Sequence, residues 1–138
     1  MSLTNNKEIK VRFSEVDSMK VVWHGHYLKY FEDGREAFGH EFDLSYMDFF
    51  NNDLIVPLVH IDVNYKRFLH NSEVAIVETK YVGNRAAKLV FNYTIYRASN
   101  KEIVATGSST QVFLDKNGDL LLNDPVFFKN WKQKWGVE

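Results

Sequence analysis

The sequence contains no cysteine, only two prolines, and no excess of charge of either sign. The absence of cysteine excludes disulfides, cysteine-ligated zinc and a catalytic thiol. The net charge is −1, from 17 Lys plus Arg and 18 Asp plus Glu, so we expect no nucleic-acid partner. No apolar run reaches the roughly 18 residues that cross a bilayer, and the N-terminus lacks the apolar segment of a signal peptide. We therefore expect a cytoplasmic protein without a membrane span.

Aromatic residues, by contrast, are abundant and make up 15% of the 138 residues. Each buried ring contributes a large apolar area, so a chain of this length can build one well-filled core. Neither a linker rich in Gly and Ser nor an internal repeat divides the sequence. We expect residues 1–138 to form a single domain.

The N-terminal third carries the pattern of a long helix over about residues 24–38. Its apolar residues recur three and four positions apart and would form one stripe: Tyr27, Tyr30, Phe31, Gly34 and Phe38. Glycine costs about 1 kcal/mol relative to alanine inside a helix, so Gly34 indicates a close approach of the helix to its packing surface. A second, short helix is expected over about residues 45–51.

Alternating apolar and polar residues predict strands elsewhere in the chain. A short strand is expected at residues 9–13, and four longer ones follow Pro57 at about 59–65, 74–82, 89–96 and 103–114. The turn signals between these four indicate an antiparallel meander, and residues 127–135 form a plausible C-terminal helix. Because one long helix cannot bury its stripe alone, we expect an α+β fold in which a curved antiparallel sheet wraps around it.

The segment from residue 11 to residue 32 holds the residues with the clearest chemical meaning. Asp17 lies in the loop after the first strand, and His24 and Gly25 stand at the start of the long helix. A carbonyl group gains negative charge on oxygen when it is attacked, and backbone N–H groups at a helix N-terminus stabilise such a charge. The amide of His24 or of Gly25 would serve this purpose. The Asp17 carboxylate would act as general base or attack the carbonyl itself.

The motif in this segment consists of Asp17, the run Val21-Val22-Trp23-His24-Gly25-His26-Tyr27-Leu28 and the group Tyr30-Phe31-Glu32. It resembles the acyl-CoA thioesterases of the hotdog fold, in the 4-hydroxybenzoyl-CoA thioesterase-like branch that includes the small Tol-Pal-associated bacterial enzymes. The resemblance implies a hotdog fold, hydrolysis of acyl-CoA without a cofactor, and a homodimer or homotetramer with its sites at subunit interfaces. It supports Asp17 as base or nucleophile and leaves that choice open. Relatives usually carry glycine where this chain has Lys20.

Further residues are expected to bind the substrate. Trp23 and Tyr27 belong to the aromatic segment at the proposed acyl site. Coenzyme A carries phosphates that arginine or lysine would meet at the rim, and the candidates near predicted strand ends are Lys66, Arg67 and Arg85.

Other interpretations of the same residues are weaker. His24 and His26 are two positions apart and would not share a helix face, so a metal site is not expected. Glu15 is expected to be solvated. A hydratase usually shows a shorter spacing between aspartate and histidine than the seven residues from Asp17 to His24, so hydrolysis fits better. A hotdog protein that binds acyl groups or a protein partner without turnover is the main alternative.

Overall fold

The computed structural model describes residues 3–138, which form five strands and three α-helices around one apolar core. The strands are β1 (Thr4–Lys10), β2 (Leu58–Tyr65), β3 (Val74–Val82), β4 (Lys88–Arg97) and β5 (Ile103–Val112). The helices are α1 (His26–Phe42), α2 (Tyr46–Phe50) and α3 (Val126–Trp135), and a single 3-10 turn at Phe13–Glu15 precedes α1.

The five strands form one antiparallel sheet in the order β1-β3-β4-β5-β2. Strands β3, β4 and β5 make the predicted meander. The expected pairing of β2 with β3 is wrong, because the connection at residues 66–73 leads from the β2 edge across the sheet to β3. Strand β2 pairs with β5 instead, so the sheet ends at β1 on one side and at β2 on the other.

The first strand also differs from its prediction at residues 9–13. It spans Thr4–Lys10, and it pairs with β3 from Thr4 opposite Lys80 to Lys10 opposite Val74. Its sequence is mostly polar because an edge strand buries few side chains, so apolar alternation does not mark it. Phe13, which the prediction included, lies in the 3-10 turn with 81% of its surface exposed.

Helix α1 packs its predicted stripe against the sheet. It begins two residues later than expected and continues to Phe42, and all five stripe residues are buried. A Cβ at Gly34 would overlap side-chain atoms of Thr79 and Val77 on β3, which confirms that this glycine allows close approach. Phe31 stacks on Tyr93 of β4 with ring centroids 4.4 Å apart. The α+β prediction, a sheet against one long helix, is therefore confirmed.

Helix α3 closes the core at the end of α1 through Phe128 and Trp131, both buried. The indole N–H groups of Trp131 and Trp135 donate to the Phe42 carbonyl at 2.6 and 3.0 Å. None of the helices within residues 3–138 combines the length and the apolar character needed to cross a membrane.

Candidate active site

Residues 15–23 form a closed hairpin, here called the Asp17 hairpin, that leads directly into α1. The Trp23 N–H donates to the Glu15 carbonyl, and the Asp17 N–H donates to the Val21 carbonyl, both at 2.9 Å. Val16 and Val22 face each other in an antiparallel bridge between these two bonds. The position of Asp17 relative to the helix start is therefore fixed by backbone hydrogen bonds.

The Asp17 carboxylate is half-buried, and its Oδ1 atom accepts a hydrogen bond from the Met19 N–H at 2.8 Å. This bond within the turn orients the side chain. The Oδ2 atom accepts no hydrogen bond from any group within residues 3–138, so it can accept a proton or attack a carbon.

Lys20 at the tip of the hairpin has a positive φ of 67°. A side chain at such a position costs free energy that glycine does not incur. This backbone requirement gives a physical reason for glycine at the corresponding place in similar sequences.

The N-terminus of α1 has no side-chain cap. Gly25 is the N-cap residue, it makes no capping hydrogen bond, and no acidic residue lies in the first turn. The His26 N–H donates to the Trp23 carbonyl at 2.9 Å, whereas the N–H groups of His24 and Gly25 have no acceptor within residues 3–138. The helix start therefore presents unpaired donors and the positive end of the helix dipole.

Trp23 lies over this helix start. The residue is 49% exposed, and the centroid of its ring lies 4.9 Å from that of His24 and 5.7 Å from that of His26. A Cβ added at Gly25 would overlap the far edge of the indole, so glycine is the residue that lets Trp23 approach the backbone here. The indole of Trp23 therefore occupies the space beside the Gly25 backbone.

Two tyrosines connect the helix start to the rest of the molecule. The Tyr65 hydroxyl at the end of β2 donates to the His24 carbonyl at 2.8 Å, and its ring meets the Tyr27 ring edge-on at 5.3 Å. Tyr27 is only 1% exposed, and its hydroxyl accepts from the Leu69 N–H at 3.3 Å. Burial raises the pKa of Tyr27. Contact of Tyr27 with a substrate stays a prediction.

Glu15 is buried, so its expected solvation is wrong. Its Oε1 atom accepts from the Arg12 N–H at 2.8 Å and from the Tyr30 hydroxyl at 2.9 Å. Burial and then the neighbouring Glu15 carboxylate raise the pKa of Tyr30 well above its ordinary value. Glu15 therefore ties the Asp17 hairpin to the N-terminal part of α1. Sequence spacing does not show this, because a glutamate beside a loop aspartate ordinarily faces water.

The comparison with protein families identifies this architecture. A family model described as the thioesterase-like superfamily matches residues 11–135. The chain belongs to this thioesterase superfamily. A Bacillus subtilis protein named "Putative acyl-CoA thioesterase YneP" is 32% identical over 127 residues, which cover 92% of this chain and 91% of that protein.

Solved structures of thioesterases share the whole fold. The DHNA-CoA thioesterase from Staphylococcus aureus superposes with a TM-score of 0.85 and 26% identity, covering 96% of this chain and 89% of that one. A 1,4-dihydroxy-2-naphthoyl-CoA thioesterase from Synechocystis has the same TM-score at 18% identity, covering 98% and 99% of the two chains. The latter likeness shows the fold alone. Together with the sheet order and the central helix, these matches confirm the hotdog-like thioesterase fold.

The connection at residues 66–73, which leads into β3, supports the Asp17 hairpin. Val21 forms a bridge with His70, and the Val22 N–H donates to the Leu69 carbonyl at 2.9 Å. Arg97 of β4 holds this loop by an ion pair with Glu73 and by donating to the Phe68 carbonyl.

The cations predicted to meet coenzyme A lie at two different ends of the sheet. Lys66 and Arg67 follow Tyr65 at the end where α1 begins; Lys66 is exposed, and Arg67 pairs with Glu102 at 3.5 Å. Arg85 lies in the turn between β3 and β4 at the opposite end of the sheet. It is 3.7 Å from a carboxylate oxygen of Glu138. The structure therefore brings Lys66 and Arg67, but not Arg85, to the end that holds the Asp17 hairpin.

Metal-ligand geometry is not found at this site. Across residues 3–138, no three His, Asp or Glu side chains converge as ligands for one ion.

Proposed function

We propose that the protein hydrolyses acyl-CoA thioesters to the free acid and coenzyme A, with Asp17 as the essential carboxylate. One observation carries this proposal: a single hairpin holds both an oriented carboxylate and the uncapped start of α1. Asp17 presents an oriented carboxylate with a free Oδ2 atom, and the same hairpin ends at an uncapped helix start with unpaired N–H donors. Membership of the thioesterase superfamily and the name of the Bacillus subtilis relative support the reaction class.

In this mechanism the thioester carbonyl oxygen accepts a hydrogen bond from the amide of His24 or Gly25. With Asp17 as general base, water adds to the carbonyl carbon while the carboxylate takes its proton. The tetrahedral intermediate then expels the thiolate as the carbon–sulfur bond breaks, and the thiolate regains a proton. With Asp17 as nucleophile, its carboxylate adds to the carbonyl carbon, the carbon–sulfur bond breaks to release the thiolate, and water then hydrolyses the resulting mixed anhydride to the free acid and the Asp17 carboxylate. In both cases the amides stabilise the charge on oxygen.

The acyl group and the coenzyme have separate candidate contacts. We expect Trp23, half-exposed at the helix start, to cover the acyl portion next to the carbonyl. Lys66 is the candidate for the phosphates, since it is exposed and forms no ion pair with the described residues 3–138. Arg67 can contribute when it leaves Glu102, because exposed ion pairs are worth at most about 1 kcal/mol. Arg85 would take part only at a site that includes another subunit.

We propose a homodimer formed through the β2 edge of the sheet. The β1 edge carries charged residues including Lys7, Glu8 and Lys10, which discourage edge-to-edge pairing. The β2 edge instead exposes apolar Leu58 and Val59, at 40% and 59%. Two β2 strands pairing would extend the sheet to ten strands and cover these side chains. A sedimentation experiment that finds only monomer at micromolar concentration would contradict this assembly. A tetramer and a cytoplasmic location stay predictions.

The activity is tested by measuring release of free thiol from a panel of aliphatic and aromatic acyl-CoA esters, including a hydroxynaphthoyl-CoA. We expect turnover of at least one ester by the wild type and a loss of about 10²–10⁴-fold in Asp17→Asn. Asp115→Asn is the matched control, because Asp115 also orients a turn by accepting the N–H two residues on, at 2.8 Å. Wild-type rates in Asp17→Asn would overturn the assignment, and acyl-CoA binding without turnover would favour a non-catalytic protein.

A further inference from the structure

A cavity of about 790 Å³ opens between β1 and the first turns of α1, at the edge of the sheet opposite β2. Its walls come from β1, the 3-10 turn, helix α1 and residues 71 and 72 before β3. Asp17, Trp23, His24 and Gly25 are not among the lining residues, so the cavity is separate from the candidate active site. Its volume is that of a small-molecule site.

The inner wall of this cavity carries two carboxylates. Glu15 is only 8% exposed, and Asp33 is half-buried. Glu15 uses its Oε1 atom for the hydrogen bonds from the Arg12 N–H and the Tyr30 hydroxyl. Its Oε2 atom accepts no hydrogen bond from the part of the chain that the structure describes, and it keeps contact with solvent. The Oε2 atom can therefore accept from a molecule in the cavity.

No cation of the described chain compensates these two carboxylates directly. Neither Glu15 nor Asp33 forms an ion pair within residues 3–138. Burial raises the pKa of Asp33, and the charge of Lys29, one turn earlier on α1, opposes this rise. A carboxylate removed from water without a partner is costly. The inner wall therefore favours a positively charged guest that donates hydrogen bonds.

An ammonium group fits this wall better than a metal ion does. Hard cations such as Ca²⁺ take six or more oxygen ligands. Across the described residues, no three His, Asp or Glu side chains are grouped as ligands for one ion. An ammonium group needs only acceptors, and its three N–H donors can reach both carboxylates.

The rim of the cavity carries the opposite charge. It has one exposed carboxylate, on Glu8, and four exposed cations: Lys7, Lys10, Arg12 and Lys29. None of these cations pairs with an acidic side chain within residues 3–138. A phosphate group has several acceptor oxygens and forms strong hydrogen bonds with lysine and arginine. The rim therefore favours an anionic group on the same guest.

We propose that this cavity binds a small molecule that carries both an ammonium group and a phosphate group. The ammonium group donates to Glu15 Oε2 and to Asp33 on the inner wall, and the phosphate meets the lysines and Arg12 at the rim. A free aminoalkyl phosphate and the headgroup of phosphatidylethanolamine both present this chemistry.

The binding is tested by isothermal titration calorimetry of the full chain with three probes. Phosphoethanolamine carries both groups, whereas ethanolamine and inorganic phosphate carry one each. We expect saturable binding of phosphoethanolamine and at least about ten-fold weaker binding of either fragment, since each fragment loses one set of charged hydrogen bonds. Flotation with phosphatidylcholine vesicles, with and without phosphatidylethanolamine, distinguishes a lipid headgroup from the free molecule.

Charge-removing variants locate the site. Asp33→Asn alters a side chain that makes no ion pair within residues 3–138, so it should fold normally and weaken binding about ten-fold or more. Glu15→Gln should weaken it as well, and its unfolding temperature reports the cost of changing a buried group. Glu32→Gln is the matched control, because Glu32 is the exposed neighbour of Asp33 on α1 and does not line the cavity. Lys10→Gln tests the rim and should also weaken binding.

Several results would overturn the proposal. Inorganic phosphate that binds as tightly as phosphoethanolamine would show that the rim cations act alone. Unchanged affinity in Asp33→Asn, or equal losses in Asp33→Asn and Glu32→Gln, would remove the inner wall from the site. Absence of saturable binding to both the free molecule and the vesicles would refute the site altogether. None of these measurements uses a thioester, so they do not depend on the proposed hydrolysis.

Discussion

The two ends of helix α1 differ in whether their backbone groups find hydrogen-bond partners. At its C-terminus, the Phe42 carbonyl receives the indole N–H groups of Trp131 and Trp135, and Asp43 closes the helix in a left-handed conformation. At its N-terminus, Gly25 offers no capping side chain, and two N–H groups remain without acceptors within residues 3–138. Unpaired backbone groups are costly only when buried, and here His24 is exposed and Gly25 partly exposed. The closed end stabilises the fold, and the open end is available for chemistry.

This contrast predicts that stability and activity can be changed separately. Damage to the closed end should lower the free energy of unfolding while the surviving folded molecules keep their turnover. Damage to the open end should lower turnover while the unfolding temperature stays nearly constant.

The largest stability effect is expected at Trp131. Trp131→Phe keeps an aromatic ring in the buried position but removes the 2.6 Å bond to the Phe42 carbonyl. We expect a loss of about 2 kcal/mol in the free energy of unfolding, measured by urea denaturation, with kcat unchanged. Trp135→Phe is the control, because its 3.0 Å bond lies in a less buried position, and it should cost less. A drop in kcat without loss of stability would contradict the separation of the two ends.

A smaller effect is expected in acid from the loop that supports the Asp17 hairpin. Burial acts to raise the pKa of Glu73, but hydrogen bonds from Arg97 and His70 outweigh burial and lower it. A carboxyl group with a lowered pKa stabilises the fold above its unfolded pKa, and this contribution is lost as the pH falls through the folded value.

We therefore expect Glu73→Gln to cost about 1 kcal/mol near neutral pH and nothing in strong acid. The stability of the wild type should fall more steeply than that of the variant below about pH 4.5, the region where glutamate titrates. Chemical denaturation across this pH range measures the difference. Glu8→Gln, at an exposed edge position, is the control and should leave the pH dependence unchanged. Parallel curves for wild type and Glu73→Gln would refute the prediction.

The smallest effect is expected at the tip of the Asp17 hairpin. Lys20→Gly removes a side chain from a backbone with φ of 67°, so relief of strain exceeds the added entropy of the unfolded chain. We expect a gain of about 0.5 kcal/mol in unfolding free energy and no fall in kcat. Lys116→Gly, in a turn where φ is not positive, should instead lower stability slightly. A loss of stability in Lys20→Gly would show that the lysine side chain makes a stabilising contact of its own.

The sequence predicted the parts of this structure that depend on periodicity. The stripe from Tyr27 to Phe38 is buried as expected because helical spacing alone decides which residues face the sheet. The place of β2 beside β5 was not predictable in this way, since alternation marks a strand but not its neighbour. Strand β1 was predicted too late in the chain, because its edge position leaves Asn6 to Glu8 exposed and removes the apolar alternation that marks a strand.

Only the local part of the candidate site was predicted from the sequence. The motif placed Asp17 on the loop and Gly25 at the helix start, because both follow from local sequence. The hydrogen bonds that Tyr65 and Tyr30 make to the His24 carbonyl and to Glu15 were missed, because only the folded chain brings these hydroxyls to their acceptors. A tyrosine at the end of β2, in alternation with Ile61 and Val63, was the available signal. Its hydroxyl must find an acceptor or water, but the sequence does not say which.

The most direct test of an open, catalytic helix start is removal of its two unpaired N–H groups, one at a time. Proline is unsuitable at Gly25, because the bond from the His26 N–H to the Trp23 carbonyl puts Gly25 at the third position of a turn, where proline would distort His24. Replacing Gly25 by glycolic acid, or His24 by its α-hydroxy analogue, exchanges the amide N–H for an ester oxygen and keeps every side chain. We predict that kcat for acyl-CoA hydrolysis falls about 10²–10³-fold in at least one of the two esters. Wild-type kcat in both folded esters would contradict the account.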